Sequence, residues 1–249
     1  MENVVLVNLS RQMAMRRTMD VIANNLANMN TTAFKAETVL FREHGEALPK
    51  ADRPHDTVRF VMDYGLTRSF EEGQMVATGN SLDLAISGDG FLTVRTPDGE
   101  RYTRNGHLGT DTESRLVTHD GHPVLDENGR EIFLDRNNGP IAISENGTIR
   151  IGGDLEDLEE PVRLMMVRFD TVQALEKVGG SLFKTDQDPL PAEEAKILQG
   201  MLEKSNVSAI GEMTRMIETM RAYQSATKSG EKSHEMTSKA IERLGRVQA

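Results

Sequence analysis

The C-terminal stretch 205–247 most constrains what this chain can fold into, because its apolar residues repeat with the period of one helix face. The first set follows alternating steps of three and four residues and comprises Ile210, Met213, Ile217 and Met220. After a polar interval, the stripe returns at Met236, Ala240 and Leu244. A long helix with so narrow a stripe needs partners along its length, as in a helical hairpin or a homodimeric coiled coil. Ser205 and Asn206 are typical N-cap residues, so we expect the helix to begin there.

A second helix is predicted near the N-terminus, over residues 3–28. Its apolar stripe, with one small shift in phase, comprises Leu6, Leu9, Met13, Met15, Met19, Ile22, Leu26 and Met29. Ten of the fourteen Met residues lie in the two ends of the chain, 1–35 and 200–249. Met is unbranched and adaptable, which suits a surface that packs against several neighbours but also an ordinary core. Four Asn in residues 24–30 favour a helix end near Asn28 and a polar turn, after which Phe34 anchors the chain.

The centre of the chain has the texture of an antiparallel β domain. Between residues 80 and 185, seven Asp-Gly or Asn-Gly pairs punctuate short alternating segments, and such pairs supply the positive φ angles of tight hairpins. We therefore predict an α+β protein with a central all-β domain over 80–200. Residues 36–79 form a connector with short strands around 58–62 and 67–71. The helical segments 1–35 and 201–249 flank this centre, and we expect them to pair as a coiled coil.

Composition excludes several function classes. The net charge is −10, and residues 36–202 alone carry −14, which argues against a nucleic-acid partner. The absence of Cys removes disulfides and thiolate metal sites. No apolar run is long enough to span a membrane, and no cleavable signal peptide is visible at the N-terminus. His119 and His122 flank a predicted turn, but no third metal ligand accompanies them. No motif predicts a catalytic centre, a cofactor or a small-molecule substrate.

Three separated motifs resemble those of the bacterial flagellar rod and hook proteins. Residues 23–35 read Ala-Asn-Asn-Leu-Ala-Asn-Met-Asn-Thr-Thr-Ala-Phe-Lys and are similar to the N-terminal signature of that family. Residues 205–223, from Ser-Asn-Val-Ser-Ala-Ile-Gly-Glu-Met to Met-Arg-Ala-Tyr, resemble its C-terminal signature. The centre also resembles the family over 78–91, at Tyr-Thr-Arg-Asn-Gly in 102–106, and over 116–124. Within the family, the compact centre is most similar to proximal-rod members, and the distal-rod paralogue comes next.

The resemblance implies a non-enzymatic structural subunit that assembles with copies of itself and with neighbouring rod proteins into a hollow helical shaft transmitting torque. It also implies passage through the flagellar export apparatus without a cleaved signal, and a place in the periplasmic rod of the basal body. The implied assembly motif comprises Asn24, Asn25, Leu26, Ala27, Asn28, Phe34, Ser205, Asn206, Val207, Glu212, Met213, Met216, Ile217, Arg221, Ala222 and Tyr223. The helix-packing residues comprise Leu6, Leu9, Met13, Met19, Ile22, Ile210, Met220 and Leu244.

Two points qualify the resemblance. Ala33 stands where the family commonly has Gly, which predicts backbone strain if that turn needs a positive φ. From the residues alone, an alternative also stays open: a β-type binding module whose helices form a private coiled-coil dimer. Truncation of both ends distinguishes the two, because a binding module would keep its ligand and a rod subunit would lose its function.

Overall fold

The computed structural model describes residues 2–47, 57–134, 139–152 and 162–246. These residues form two long helices, α1 (Glu2–Ala27) and α2 (Ala209–Arg246), and an otherwise β-rich chain. The strands in chain order are β1 (Glu37–Ala47), β2 (Thr57–Arg68), β3 (Met75–Ala77), β4 (Leu84–Ser87), β5 (Phe91–Thr96), β6 (Gly99–Thr103), β7 (Leu108–Thr110), β8 (Leu116–Thr118), β9 (Ile141–Ile143), β10 (Ile149–Ile151), β11 (Met166–Arg168), β12 (Glu176–Gly179), β13 (Leu182–Lys184), β14 (Leu190–Pro191), β15 (Lys196–Gln199) and β16 (Met201–Glu203). The predicted α+β class with a central antiparallel strand domain is confirmed.

The chain divides into two compact units. Unit 1 comprises Met1–Ala27, Glu37–Arg68 and Ser208–Ala249, and unit 2 comprises Asn28–Ala36 and Ser69–Val207. Within the described residues, no helix combines the length and the apolar character needed to cross a membrane.

Unit 1 consists of α1, α2 and the hairpin β1–β2. Both α2 and the hairpin pack against α1. The hairpin is antiparallel and runs from the pair Glu37↔Arg68 to the pair Ala47↔Thr57. Its strands of 11 and 12 residues correct our expectation of short strands around 58–62 and 67–71. The prediction was wrong because charged residues interrupt the apolar alternation on a hairpin that is largely exposed, so the period-two signal is weak.

The helix contact in unit 1 does not use the apolar stripe of α2. Ile210 is 80% exposed and Ile217 is 52% exposed, whereas the least exposed positions of α2 are mostly small or polar. Those positions, buried or half-buried, are Ala209, Glu212, Met216, Thr219, Ala222, Tyr223, Ala226, Thr227, Gly230, Ser233 and Thr237. A Cβ added at Gly230 would lie 3.9 Å from Nε2 of Gln12 in α1, which marks the closeness of the two helices there. Coiled-coil pairing through the apolar stripes therefore stays a proposal.

The start of α2 also differs from the prediction. The helix begins at Ala209 and not at Ser205 or Asn206. The Oγ of Ser208 accepts the N–H of Gly211 at 3.3 Å, so Ser208 is the capping residue. Ser205 and Asn206 belong to unit 2, where their side chains bind other backbone groups.

Unit 2 is built on a six-stranded antiparallel sheet with the order β12-β13-β6-β5-β11-β14, supplemented by two-stranded ladders. Its core contains fully buried aliphatic side chains from the sheet and the ladders, including Leu84, Ile86, Leu92, Val94, Leu116 and Ile197. A second cluster is aromatic and includes Phe91, Tyr102, Phe169 and Phe183. Gly129 at φ 71° and Gly147 at φ 84° occupy predicted turns in the left-handed region that favours glycine.

Candidate assembly site

The end of α1 is fixed to the start of β1 by the side chain of Asn25, which is 1% exposed. Its Nδ2 donates to the carbonyl oxygen of Glu37 at 2.8 Å, and its Oδ1 accepts the N–H of Glu37 at 3.0 Å. Nδ2 also lies 3.4 Å from Oε2 of Glu212 in the first turn of α2. One amide side chain thus holds three elements of unit 1 in register, which explains why an Asn is useful inside a helix here.

The two acidic residues that bind this amide, Glu37 and Glu212, are buried, and the carboxylate of each has an arginine partner. Oε1 of Glu37 accepts from Nε of Arg68 at 2.8 Å, which links the first residue of β1 to the last residue of β2. Oε1 of Glu212 accepts from a terminal nitrogen of Arg215 at 2.7 Å. We call the set Asn25, Glu37, Arg68, Glu212 and Arg215 the unit-1 junction. Pairing and hydrogen bonding offset the cost of burying these carboxylates.

Removal of the Asn25 amide should destabilise unit 1. Asn25→Ala leaves the buried N–H and carbonyl of Glu37 without their side-chain partner, so we expect a loss of about 1–3 kcal/mol in the free energy of unfolding. Chemical denaturation of the full chain, with amide hydrogen exchange at Glu37, measures the effect. Asn30→Ala is the matched control, because Asn30 is the same residue type and is exposed in the turn that follows α1. Equal stability of the two variants would contradict the role assigned to Asn25.

Unit 2 contains a second polar cluster, centred on Glu203 at the end of β16. Both carboxylate oxygens are engaged: Oε1 accepts from Nζ of Lys35 at 2.7 Å and from the N–H of Gly73 at 2.9 Å, and Oε2 accepts from Nε of Arg104 at 3.0 Å. The Lys35, Arg104 and Glu203 side chains are each 3% exposed or less. These two cations and one anion are therefore almost completely removed from water, where unpaired charge is costly.

Backbone carbonyls complete the coordination of the two cations. Nζ of Lys35 also donates to the carbonyl of Glu71 at 2.7 Å. The terminal nitrogens of Arg104 donate to the carbonyls of Ile86, Gly88 and Gly90 at 2.9–3.0 Å. The planar guanidinium thus connects the β4–β5 turn to Glu203, a geometry that a lysine could not reproduce.

Asn206 joins the same region through the backbone. Its N–H donates to the carbonyl of Phe34 at 3.3 Å, and its Oδ1 accepts the N–H of Ala36 at 2.8 Å. Its Nδ2 donates to the carbonyls of Ser69 and Glu71 at 2.9 and 3.0 Å. We call Lys35, Arg104, Glu203 and Asn206 the unit-2 junction. It links three stretches of unit 2: the residues just before Glu37, those just after Arg68 and those just before Ser208. At each of these three points the chain passes from one unit to the other.

Two members of the unit-2 junction, the acid Glu203 and the base Lys35, have shifted pKa values, and these shifts have measurable consequences. Burial opposes the charge on Glu203 most strongly, but Arg104, Lys35 and the Gly73 N–H together hold the pKa of Glu203 below its ordinary value. Burial is also the largest influence on Lys35 and lowers the pKa of its ammonium despite the neighbouring Glu203. Both groups therefore release protons more readily in the folded state than in the unfolded chain.

We expect the stability of unit 2 to fall on acidification. The contribution of Glu203 is fully present above its unfolded-state pKa of about 4.3 and is lost as the pH falls through the lower folded-state pKa. The lowered pKa of Lys35 makes stability rise with pH up to its unfolded-state pKa of about 10.4. Melting temperatures of the full chain from about pH 2 to 7 test the acid limb. Glu203→Gln should flatten that limb, and an unchanged slope in the variant would contradict the assignment.

The backbone at Ala33 confirms the strain anticipated in the sequence. Ala33 has a φ of 54°, is 3% exposed, and donates its N–H to the carbonyl of Glu203 at 2.8 Å. Left-handed geometry costs an L-residue with a Cβ about 1–2 kcal/mol, which the junction contacts offset. The position where the family commonly has Gly is therefore a left-handed one in this chain.

The stability of variants at Ala33 should depend on what the new residue carries at its β-carbon. We expect Ala33→Gly to change stability by less than about 1 kcal/mol, because relief of strain and loss of chain stiffness oppose each other. Ala33→Val adds a β-branched side chain to a buried left-handed position and should cost about 2–4 kcal/mol. Urea denaturation of both variants measures the difference. A valine variant as stable as the glycine variant would show that the turn relaxes to another geometry.

The remaining residues of the predicted assembly motif fall into three classes of exposure. Phe34 is buried, and Nζ of Lys177 lies 4.3 Å from its ring centre. Half-buried members are Leu26, Asn28, Val207, Met216, Ala222 and Tyr223, with Ser205 buried. Exposed members are Asn24, Ala27, Met213, Ile217 and Arg221. Among the predicted helix-packing residues Ile22 is buried and Met19 half-buried, whereas Leu6, Leu9, Met13, Ile210 and Met220 are exposed. The side chain of Leu244 lies outside the described residues.

Apart from Glu212, sequence reasoning missed the charged members of both junctions. Lys35 closes the N-terminal motif and Arg104 lies in the 102–106 motif, but neither was assigned a role. A lone acid at the end of an apolar strand, as at Glu203, was the available signal. The ring of His119 also lies 5.6 Å from that of His107, a neighbour that the sequence did not indicate. Within the described residues, no three His, Asp or Glu side chains are grouped to hold a metal ion.

Family models match three regions of the chain, and each of these regions contributes residues to a junction. Residues 6–35 match the flagella basal body rod protein model, 85–151 match the flagellar hook protein FlgE/F/G D1 domain, and 198–243 match the flagellar basal body rod FlgEFG protein C-terminal model. The chain is 41% identical to the flagellar basal-body rod protein FlgF of Caulobacter vibrioides, over 99% of this chain and 100% of that protein. The chain belongs to the flagellar basal-body rod protein family. Other members of this rod family that it resembles are FlgF of Mesorhizobium japonicum, 32% identical over 98% of this chain and 99% of that one, and FlgG of Borreliella burgdorferi, 33% identical over 90% and 91%.

Most junction residues therefore lie within the matched regions, whereas Glu37 and Arg68 lie outside them. Asn25 and Lys35 fall in the N-terminal match, Arg104 in the central match, and Glu203, Asn206 and Glu212 in the C-terminal match. In unit 1 the fold brings together parts of the N-terminal and C-terminal matches, and in unit 2 it brings together parts of all three matches.

Proposed function

We propose that this chain is a structural subunit of the proximal part of the flagellar basal-body rod. The observation that carries the proposal is the exposed apolar stripe on each terminal helix of a rod-family chain. Leu6 and Leu9 are each 50% exposed on α1, and Met213 and Met220 are each 47% exposed on α2. Contiguous exposed apolar surface of this kind marks an interaction site, because water alone covers it poorly.

Assembly follows from these stripes. Residues 1–35 and 201–249 form the assembly domain, with 36–79 as connector and 80–200 as the central β domain. The helices pair as a coiled coil with those of neighbouring copies and of other rod proteins, which buries Met, Leu and Ile side chains. A heterologous contact that does not close into a ring propagates as a helix, and such a helix forms a hollow shaft that transmits torque. The assembly-motif residues Asn25 and Glu212 of the unit-1 junction orient the helices for this contact.

The proposal extends to localisation and partners. The subunit passes the flagellar export apparatus without a cleaved signal peptide and joins the rod in the periplasm. It has no enzymatic activity, and it requires no cofactor, nucleic acid or small-molecule substrate. The similarity to relatives named FlgF over nearly the whole chain supports a proximal position, and the similarity to relatives named FlgG makes the distal rod the alternative.

Co-purification with intact basal bodies tests the proposal. A tagged copy should restore swimming to a strain that lacks the chain, should be recovered with basal bodies, and should be located by electron microscopy at the proximal end of the rod. Location at the distal end would support the alternative. A functional tagged protein that is never found in basal bodies would overturn the proposed function.

A further inference from the structure

Three of the exposed apolar side chains in the stripes of the terminal helices contain sulfur. Met13 of α1 is 65% exposed, and Met213 and Met220 of α2 are each 47% exposed. We call these three residues the stripe methionines, because each belongs to the apolar stripe of its helix. Each thioether therefore lies on a surface that the proposed function assigns to assembly. In the single chain, by contrast, the three residues are open to solvent.

Other methionines of the same helices are packed against their surroundings. Met19 in α1 and Met216 in α2 are half-buried, and Met216 is one of the least exposed positions of α2. Met213 and Met220 are seven positions apart, which is about two helical turns, so they share one side of α2. The fold thus separates packed methionines from outward-facing ones, and the outward-facing ones are more available to a small solute.

The thioether of methionine reacts with two-electron oxidants such as hydrogen peroxide. A lone pair of the sulfur attacks one oxygen of the peroxide, the O–O bond breaks, and the products are methionine sulfoxide and water. The sulfur is oxidised and the peroxide is reduced, so the reaction needs no further reactant. The chain contains no Cys and no Trp. Because no thiol of the chain competes for the oxidant, we expect the accessible methionines to react first.

Oxidation makes the stripes polar but leaves the packed interior of the chain unchanged. The sulfoxide oxygen is a hydrogen-bond acceptor, and water satisfies it at little cost while the position is exposed. Buried between apolar helices, the same oxygen finds no donor, because stripe neighbours such as Leu9 and Ile217 are aliphatic. We therefore expect an oxidised chain that is folded but is poorly suited to helix pairing with other copies.

We propose that the stripe methionines are modification sites through which peroxide controls assembly. Oxidation of the unassembled chain excludes it from the rod, whereas a chain already in the rod has these side chains covered. The modification is reversible, because methionine sulfoxide reductases remove the oxygen as water while two thiols are oxidised to a disulfide. The proposal rests on the proposed function and adds a chemical control to the same surfaces.

Competition between two tagged copies in the same cell tests the proposal. One copy has the unchanged sequence, and the other carries Met13→Leu, Met213→Leu and Met220→Leu, which keep an apolar side chain of similar volume that peroxide does not oxidise. A strain that lacks the chain expresses both copies, receives a pulse of hydrogen peroxide that catalase then ends, and continues to build basal bodies. The ratio of the two tags in isolated basal bodies is compared with that in untreated cells. Because both copies meet the same partners, oxidation of other rod proteins affects them equally.

Met62→Leu provides the matched control. Met62 is 54% exposed on β2, so peroxide reaches it as well, but it lies outside the stripes of the two helices. In a second strain the Met62→Leu copy replaces the triple variant and competes with the unchanged copy. Peptide mass spectrometry of the unassembled pool measures the sulfoxide at Met62 and at each stripe methionine.

Without peroxide we expect the two copies to enter basal bodies in amounts equal within about twofold, because Leu and Met exchange readily in apolar contacts. After the pulse we expect the triple leucine copy to be enriched at least about fivefold and the Met62→Leu copy not to be enriched. An unchanged ratio, with sulfoxide present at the stripe methionines of the unassembled pool, would overturn the proposal and leave the proposed function intact. Stripe methionines that stay unoxidised while Met62 is oxidised, or equal enrichment of the Met62→Leu copy, would also overturn it. Failure of both copies to enter basal bodies in untreated cells would count against the proposed function itself, and with it this inference.

Discussion

Glu203→Ala is expected to lower the free energy of unfolding of unit 2 by about 3–5 kcal/mol, because it leaves two buried cations without their carboxylate. Nζ of Lys35 and Nε of Arg104 lie 2.7 and 3.0 Å from that carboxylate, and the N–H of Gly73 loses its acceptor as well. Domains have about 5–15 kcal/mol of stability in total, so the variant should lose a large fraction of the stability of unit 2. Denaturation of the purified full chain, followed by near-ultraviolet circular dichroism of the aromatic cluster, measures the loss.

An exposed carboxylate in the same unit provides the control. Glu193 is exposed, and Glu193→Ala should change stability by about 0.5 kcal/mol or less, as surface substitutions commonly do. If Glu203→Ala also costs less than about 1 kcal/mol, the three charged groups do not form the stabilising unit that their distances indicate.

Ile217→Asp is expected to abolish incorporation into the rod, and with it swimming, while both units stay folded. Ile217 is 52% exposed in the single chain, so a carboxylate there meets water before assembly and costs little. In an assembled interface the same carboxylate would be buried without a partner, at a cost of several kcal/mol for each contact. Swimming in soft agar and recovery in basal bodies measure assembly, and thermal unfolding of the purified variant measures folding.

Ser225→Asp introduces the same charge at an exposed position of α2 outside the stripe. It should swim and assemble as the unchanged chain does, because that position stays hydrated. Normal swimming of the Ile217→Asp variant would show that the stripe is not an assembly surface. Loss of swimming in both variants would point instead to a general intolerance of α2 to negative charge.

The helices and strands that produce a periodic pattern in the sequence were predicted correctly. The two long helices follow from three-and-four spacing, and the short strands of unit 2 follow from Asn-Gly and Asp-Gly turns. In place of the hairpin β1–β2, only short strands around 58–62 and 67–71 were predicted, because Arg42, Glu43 and Asp63 interrupt the apolar residues of the hairpin. Because neither face of an exposed hairpin must be buried, its strands need not alternate apolar and polar residues. The length of such strands therefore cannot be read from a two-residue repeat in the sequence.

The candidate site was only partly predictable for a different reason. Asn25, Asn206 and Glu212 were identified through motif resemblance, but their partners could not be. Lys35 and Glu203 are 168 positions apart, and Arg104 and Glu203 are 99 positions apart. A single buried charge produces no periodic pattern in the sequence, so its partner can be identified only in the folded structure. The face of α2 with the least exposure was missed likewise, because small residues such as Ala226 and Gly230 carry no hydrophobic signal.

The Lys35–Glu203 pair has a consequence for the timing of synthesis. A ribosome adds about 5–20 residues per second, so Lys35 emerges on the order of 10–30 seconds before the carboxylate that neutralises it. Throughout that interval Lys35 lacks the carboxylate of Glu203. Contacts between residues so far apart in the sequence also form slowly once both residues are present. Closure of unit 2 around Lys35 therefore waits until Glu203 has been translated.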